Sequence, residues 1–160
     1  MRVLGIDPGT AITGFGIVTV ENRRLFAQGY GVVRTEAGHP LEKRLFHLHS
    51  EIERLIDRFE PTEVAVESLF FNTNVRSALA VGHSRGVVLL AAAAAGLPVF
   101  EYTPLQVKQA LVGRGRAEKA QVQFMVRAVL GLSETPSPDD AADALAVAVC
   151  HSHSVERSWL

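Results

Sequence analysis

The run "TEVAVES", residues 62–68, constrains the fold more than any other. Val64, Ala65 and Val66 are apolar at successive positions, so a strand built from them must be covered on both faces. A strand buried on both faces is usually parallel and central, with helices packed above and below its sheet. This one ends in an acid, Glu67. In such sheets, ligand sites lie beyond the carboxyl ends of the parallel strands.

The flanking chain supplies the other elements. Residues 2–6 form a short apolar run that stops at "DPGT", where Pro8 and Gly9 force a turn. "TGFGIVTV" and "LFAQGYGVVRT" are β-rich runs around "ENRR" and predict a hairpin. Leu41, Leu45, Leu48, Ile52, Leu55, Ile56 and Phe59 recur at helical spacing. Residues 74–95 predict a long Ala-rich helix ending at Gly96 and Pro98, and "PVFEY" a third buried strand. Thr103-Pro104 reads as an N-cap followed by Pro at the first helical position, opening a helix to Val112. "GRGR" is a basic loop, and residues 117–130 are helical. The pattern predicts an α/β fold: a five-stranded mixed sheet between helices, three layers in all. Residues 1–160 read as one domain. Residues 151–160 carry no interpretable motif and are expected to be a disordered tail or the start of a longer terminus.

Asp7 ends the first strand as Glu67 ends the fourth. If those strands are parallel neighbours, about 4.8 Å apart, the two carboxylates can share a cation. A further acid lies in "SPDDAADALAVAVCH", residues 137–151. Asp140 and Asp143 are three apart and share a helix face. Ser137 at the N-cap, Pro138 at N1 and Asp140 at N3 fit a capping pattern, and Asp139 also suits the positive helix end. Asp140 can thus be a cap partner or a metal ligand. Asp143 lies beyond the first turn among Ala142, Ala144, Ala146 and Val147. An unpaired charge buried there would be very costly, so a cation shared with Asp7 and Glu67 accounts for it best. Oxygen-only ligands suit Mg²⁺ or Mn²⁺. No Cys/His spacing points to zinc. His39, His47, His49 and His83 form no cluster, and His151 and His153 are expected at a solvated helix end.

Charge narrows the chemistry further. The net charge of −1 hides an uneven distribution. Residues 68–132 carry seven bases (Arg76, Arg85, Lys108, Arg114, Arg116, Lys119, Arg127) against two acids, a net of +5. A basic middle beside an acid cluster suggests a polyanionic partner near a cation site. Two metal ions about 3.5–4 Å apart can activate water and stabilise a leaving oxygen in phosphodiester hydrolysis. The longest apolar stretch, residues 86–100, is short for a membrane span of about 20 residues, so no membrane is expected. The single cysteine, Cys150, cannot form an internal disulfide, which favours a reducing cytoplasm.

Taken in order, "GIDPGT", "VAVESLFF", "HSRGVV", "PVFEYTPLQVKQALVGRGRAEKAQV" and "DDAADALAVAVCH" resemble the RuvC family of bacterial Holliday junction resolvases over nearly the whole chain. The resemblance implies an RNase H-like fold and a homodimer. It implies paired, symmetric nicks in a four-way DNA junction during recombination and repair, leaving 5′-phosphate and 3′-hydroxyl ends. It also implies Mg²⁺ or Mn²⁺, two per active site, held by Asp7, Glu67, Asp140 and Asp143. Lys108 and Lys119 match family lysines near the scissile phosphate. Phe70 matches an aromatic that stacks on an unpaired base. The RuvA–RuvB branch-migration complex is the implied partner. Arg76, Arg114 and Arg116 are expected phosphate contacts, on charge alone.

Three rivals are weighed against this reading. A nuclease of the same fold acting on another substrate, such as an RNA–DNA hybrid, would carry the same acids. A sugar-kinase-like phosphotransferase shares a "DPGT"-like loop but needs a second domain and a second Gly-rich loop. A non-catalytic interaction domain would not need Asp7, Glu67 and Asp143 together.

Overall fold

The structure, a computed structural model, describes residues 1–68 and 74–157, apart from the side chains of 156 and 157. Three strands come first: β1 (Arg2–Asp7), β2 (Ile12–Glu21) and β3 (Arg24–Arg34). Then follow α1 (Leu41–Phe59), β4 (Glu63–Glu67), α2 (Val75–Ala94) and β5 (Val99–Tyr102), and lastly α3 (Pro104–Val112), α4 (Lys119–Val129) and α5 (Asp139–Arg157). The sheet order is β3-β2-β1-β4-β5. β1, β2 and β3 are antiparallel, while β4 runs parallel to both β1 and β5. The expected mixed five-stranded sheet and the parallel pairing of β1 with β4 are both present. Asn22 and Arg23 turn the hairpin with φ of 49° and 61°, the left-handed pair that a two-residue loop of this hand requires.

Because β4 is central, Val64, Ala65 and Val66 are 0–1% exposed, and each face feeds a separate core. Leu4, Ile6, Ile17, Val64 and Val66 pack against Leu48 and Ile52 of α1 and Val88, Ala91 and Ala92 of α2. Val3, Val18 and Ala65 pack against α3, α4 and α5 on the other side. Each fully buried Leu, Ile or Val contributes about 1.5–3 kcal/mol. α2 has the length and apolar composition to cross a membrane. It lies instead along α1 and the sheet, with Ser84, Val88, Ala91 and Ala92 buried.

α5 is the most enclosed helix, and glycine explains how closely it sits. A Cβ at Gly14 would stand 1.9 Å from the Asp140 carbonyl oxygen, and one at Gly5 2.2 Å from that of Ala144. Gly14 pairs with Asp7 across β1 and β2, and Gly5 with Gly16. The sheet is therefore bare beside Asp7, where the acidic end of α5 comes down.

Three expectations need correction. "PVFEY" forms an edge strand rather than a buried one. With only β4 beside it, β5 leaves Phe100 40% exposed, and the exposed Glu101 pairs with Arg85 of α2. α5 begins at Asp139, so Ser137 is not its N-cap and Asp140 is not a capping partner. The Pro138 carbonyl accepts the first helical bonds, from the N–H groups of Ala141 and Ala142. Finally, the chain is not a tail from 151 onward. α5 continues to Arg157, and His151 and Ser152 are fully buried. Polar partners for the imidazole make that burial possible, which no periodicity of residues 151–160 signals.

Candidate active site

Asp7 and Glu67 project from the carboxyl ends of the adjacent parallel strands β1 and β4. The "DPGT" turn that follows Asp7 is pinned. The Thr13 hydroxyl donates to the Gly9 carbonyl at 2.6 Å, and the Thr10 hydroxyl to the Ala80 carbonyl of α2 at 2.6 Å. Asp7 and Glu67 hydrogen-bond to each other, so one proton is shared, because two carboxylates on one site cannot readily both ionise. Burial, reinforced by repulsion from Glu67, Asp143 and Asp140, pushes the Asp7 carboxyl up to about 9. Burial raises Glu67 too, against the opposing hydrogen bond from Asp7 and the attraction of Lys119 and Lys108.

α5 supplies the other acids. Asp143 is raised by burial, partly offset by Lys119, whose Nζ lies 3.2 Å from its carboxylate. Lys119 opens α4 and also reaches Asp139 at 3.1 Å. Partial burial disfavours its charge, but the hydrogen bonds and charges of Asp139 and Asp143 outweigh this and raise its pKa. Lys108 of α3 joins Glu67, Lys119 and Asp143 around a cavity of about 200 Å³. Asp140 is half-buried and acts electrostatically on both Asp7 and Asp143.

Among the described residues, no three His, Cys, Asp or Glu side chains form a ready-made metal cage. The acids are divided instead: Asp7 shares a proton with Glu67, and Asp143 takes the Lys119 ammonium. Both arrangements place positive charge where the carboxylates need it. The donor set, all oxygen and all on rigid elements, fits a hard divalent cation.

Residues 3–151 match the family model described as crossover junction endodeoxyribonuclease RuvC. The chain belongs to the RuvC family. A curated RuvC from Desulfitobacterium hafniense is 60% identical over 155 residues, covering 97% of this chain and 94% of its own length. The structure of Thermus thermophilus RuvC is 42% identical, with a TM-score of 0.93 over 99% of this chain and 97% of that one. T. thermophilus RuvC in complex with Holliday junction substrate aligns at a TM-score of 0.95 and the same 42% identity, covering 99% and 96%. The fold is therefore the RNase H-like fold of RuvC.

Of the residues expected at the RuvC site, the structure brings together Asp7, Glu67, Asp140, Asp143, Lys108 and Lys119. Arg114 and Arg116 are exposed on the loop between α3 and α4, and Arg76 is exposed in the first turn of α2. Phe70 lies outside the described residues. Sequence reasoning passed over Asp139, which takes Lys119 and a 3.1 Å hydrogen bond from Gln123, tying α5 to α4. Its pKa is lowered by those bonds. Nothing in a helical pattern reveals such a pair. The glycines at 5, 14 and 16 were a readable signal, since small residues on adjacent strands mark a close backbone approach.

Proposed function

We propose that this chain is a divalent-metal-dependent endodeoxyribonuclease that resolves four-way DNA junctions, acting as a homodimer. The convergence of Asp7, Glu67 and Asp143, with Asp140 beside them and Lys119 and Lys108 at the rim, carries this reading. The four acids would hold Mg²⁺ or Mn²⁺, two ions per site. When bound, such ions supply a water of lowered pKa and stabilise the leaving oxygen. Asp7 and Glu67, desolvated and proton-sharing, would have to lose that proton to hold a cation. With Asp143 holding a cation, Lys119 would be free to join Lys108 in offsetting charge on the scissile phosphate. Attack by water leaves a 5′-phosphate on one side of the break and a 3′-hydroxyl on the other. Arg76, Arg114 and Arg116 contact the phosphate backbone, which positions DNA without reading sequence. Phe70 stacks on a base at the crossover.

The homodimer is supported by α2. Val75, Leu79 and Leu90 are 77%, 59% and 62% exposed and recur at helical spacing. Gly82 and Gly86 share that stripe, and a Cβ at either would meet nothing within 4 Å. A mid-helix Gly costs about 1 kcal/mol relative to Ala, so a close approach from outside the chain gives these two a purpose. A second copy packed there by a two-fold axis would present two sites to a junction that needs two matched cuts. The location is cytoplasmic, with the junction and the RuvA–RuvB branch-migration complex as partners, in keeping with the family.

Cleavage of labelled junction, linear duplex and RNA–DNA hybrid in Mg²⁺ tests the proposal. Symmetric cutting of the junction alone is expected. Equal cutting of all three substrates would mean a nuclease without junction selectivity.

A further inference from the structure

β4 presents a carboxylate to α5 at each of its ends, and the catalytic reading uses only one. Glu63, Ala65 and Glu67 alternate onto the same face of the sheet. Their register partners are Val3 and Gly5 on β1 and, for Ala65 and Glu67, Phe100 and Tyr102 on β5. α5 lies along this face. At the far end from the catalytic acids, His151 is 0% exposed, and its Nε2 meets the Glu63 carboxylate. Its Nδ1 lies 2.7 Å from the Tyr102 hydroxyl. One tautomer pairs every polar atom: Nε2–H donates to Glu63, and Nδ1 accepts from the tyrosine. The Phe100 ring lies against the imidazole, with centroids 4.5 Å apart.

Between the two ends, α5 lies close on small residues of the sheet. Gly5 faces Ala144 and Ala148, and Ala65 faces the same helix. Contacts of alanine on glycine oppose separation, and farther along the sheet the buried Leu145 side chain sits over Gly16. At the catalytic end, Lys119 and Gln123 of α4 hold Asp139 and Asp143 at the surface. The far end of α5 adds a directional polar hold to this bed. His151 stands eight residues from Asp143, about 12 Å along the axis, and on the same face. It grips β4 at one end and β5 at Tyr102, the register partner of Glu67.

We propose that His151, clamped between Glu63 and Tyr102, is a positioning residue: it fixes α5 along its axis so that Asp140 and Asp143 stand opposite Asp7 and Glu67. This rests on the metal-dependent nuclease reading above, but its effect is measurable without cleavage. The test compares wild type with His151→Phe, Tyr102→Phe and Glu63→Gln. It uses three readouts: junction affinity without divalent metal, kcat and KM in Mg²⁺, and Mn²⁺ affinity by calorimetry without DNA. In His151→Phe, kcat and Mn²⁺ affinity are expected to fall about 10- to 100-fold, as for lost outer-shell partners of metal ligands, with junction affinity and KM unchanged. Tyr102→Phe should move the same way by less. Glu63→Gln, whose amide oxygen still accepts from Nε2–H, should restore most of kcat relative to His151→Phe. The clamp is refuted if His151→Phe lowers only the melting temperature, or weakens junction binding as much as kcat. If His151→Phe does not fold, Tyr102→Phe decides, and unchanged kcat and Mn²⁺ affinity in it refute the clamp. A wild type that binds Mn²⁺ but cuts no junction would instead overturn the nuclease reading, and the Mn²⁺ comparison would still judge the clamp.

Discussion

At the residue scale, burial raises the Asp7, Glu67 and Asp143 carboxyls above their ordinary range. Asp7 shows it most clearly, with a carboxyl raised from its ordinary 3.8 to about 9. A raised carboxyl stabilises the fold fully below its unfolded pKa, and that contribution is lost as pH climbs through the folded one. In chelator, the melting temperature should therefore fall between about pH 4 and pH 9. Asp7→Asn should flatten the fall and raise the melting temperature at pH 8, because it removes a carboxyl that must take up a proton on folding at that pH. Mg²⁺ should stabilise wild type more at pH 8 than at pH 5, and stabilise Asp7→Asn much less. Thermal unfolding across pH, with and without Mg²⁺, checks all of this. An opposite slope would place the acids apart. Asp143 was legible as an anomaly in the sequence, a carboxylate with no solvated stripe to join. Asp139 was not, because its meaning lies in Lys119 and Gln123 on another helix.

At the scale of elements, α5 is set by what lies beneath it. Gly14→Ala would drive a methyl into the Asp140 carbonyl oxygen, backbone against backbone. Overpacking of this kind costs about 1–3 kcal/mol, and relief must come from lifting the acidic end of α5. A lower melting temperature and a large loss of cleavage are expected together. Loss of stability with full cleavage would mean that the acids tolerate displacement. Most elements were legible because their signals are local: α1 by periodicity, α3 by Thr103 and Pro104, and α2 by its alanines and its stop at Gly96 and Pro98. The errors came where neighbours decide. β5 reads as buried in isolation but has a sheet partner on one side only. The last turns of α5 read as a tail because Glu63, 88 positions away, supplies the partner for His151.

At the scale of the whole molecule, the account requires two sites acting on one charged substrate. Leu79→Glu on the exposed stripe of α2 should yield monomers by sedimentation and convert paired cuts into single nicks. A variant that stays dimeric would place the interface elsewhere. Junction binding should weaken linearly in log–log form as salt rises, and removing one phosphate-contacting Arg should reduce that slope by about 1. The basic middle of the sequence announced a polyanion, but charge counts carry no shape. Selectivity for a junction comes from the family and the two-fold argument, not from any one residue.

The central claim is that Asp7, Glu67 and Asp143 form one metal-dependent cutting centre. It is tested most directly by measuring binding and cleavage of a four-way junction on the same samples of wild type, Asp7→Asn and Asp143→Asn. The account predicts that both variants bind the junction as wild type does, while Mg²⁺-dependent cleavage falls by at least about 100-fold. Cleavage that survives either substitution at close to the wild-type rate would contradict it.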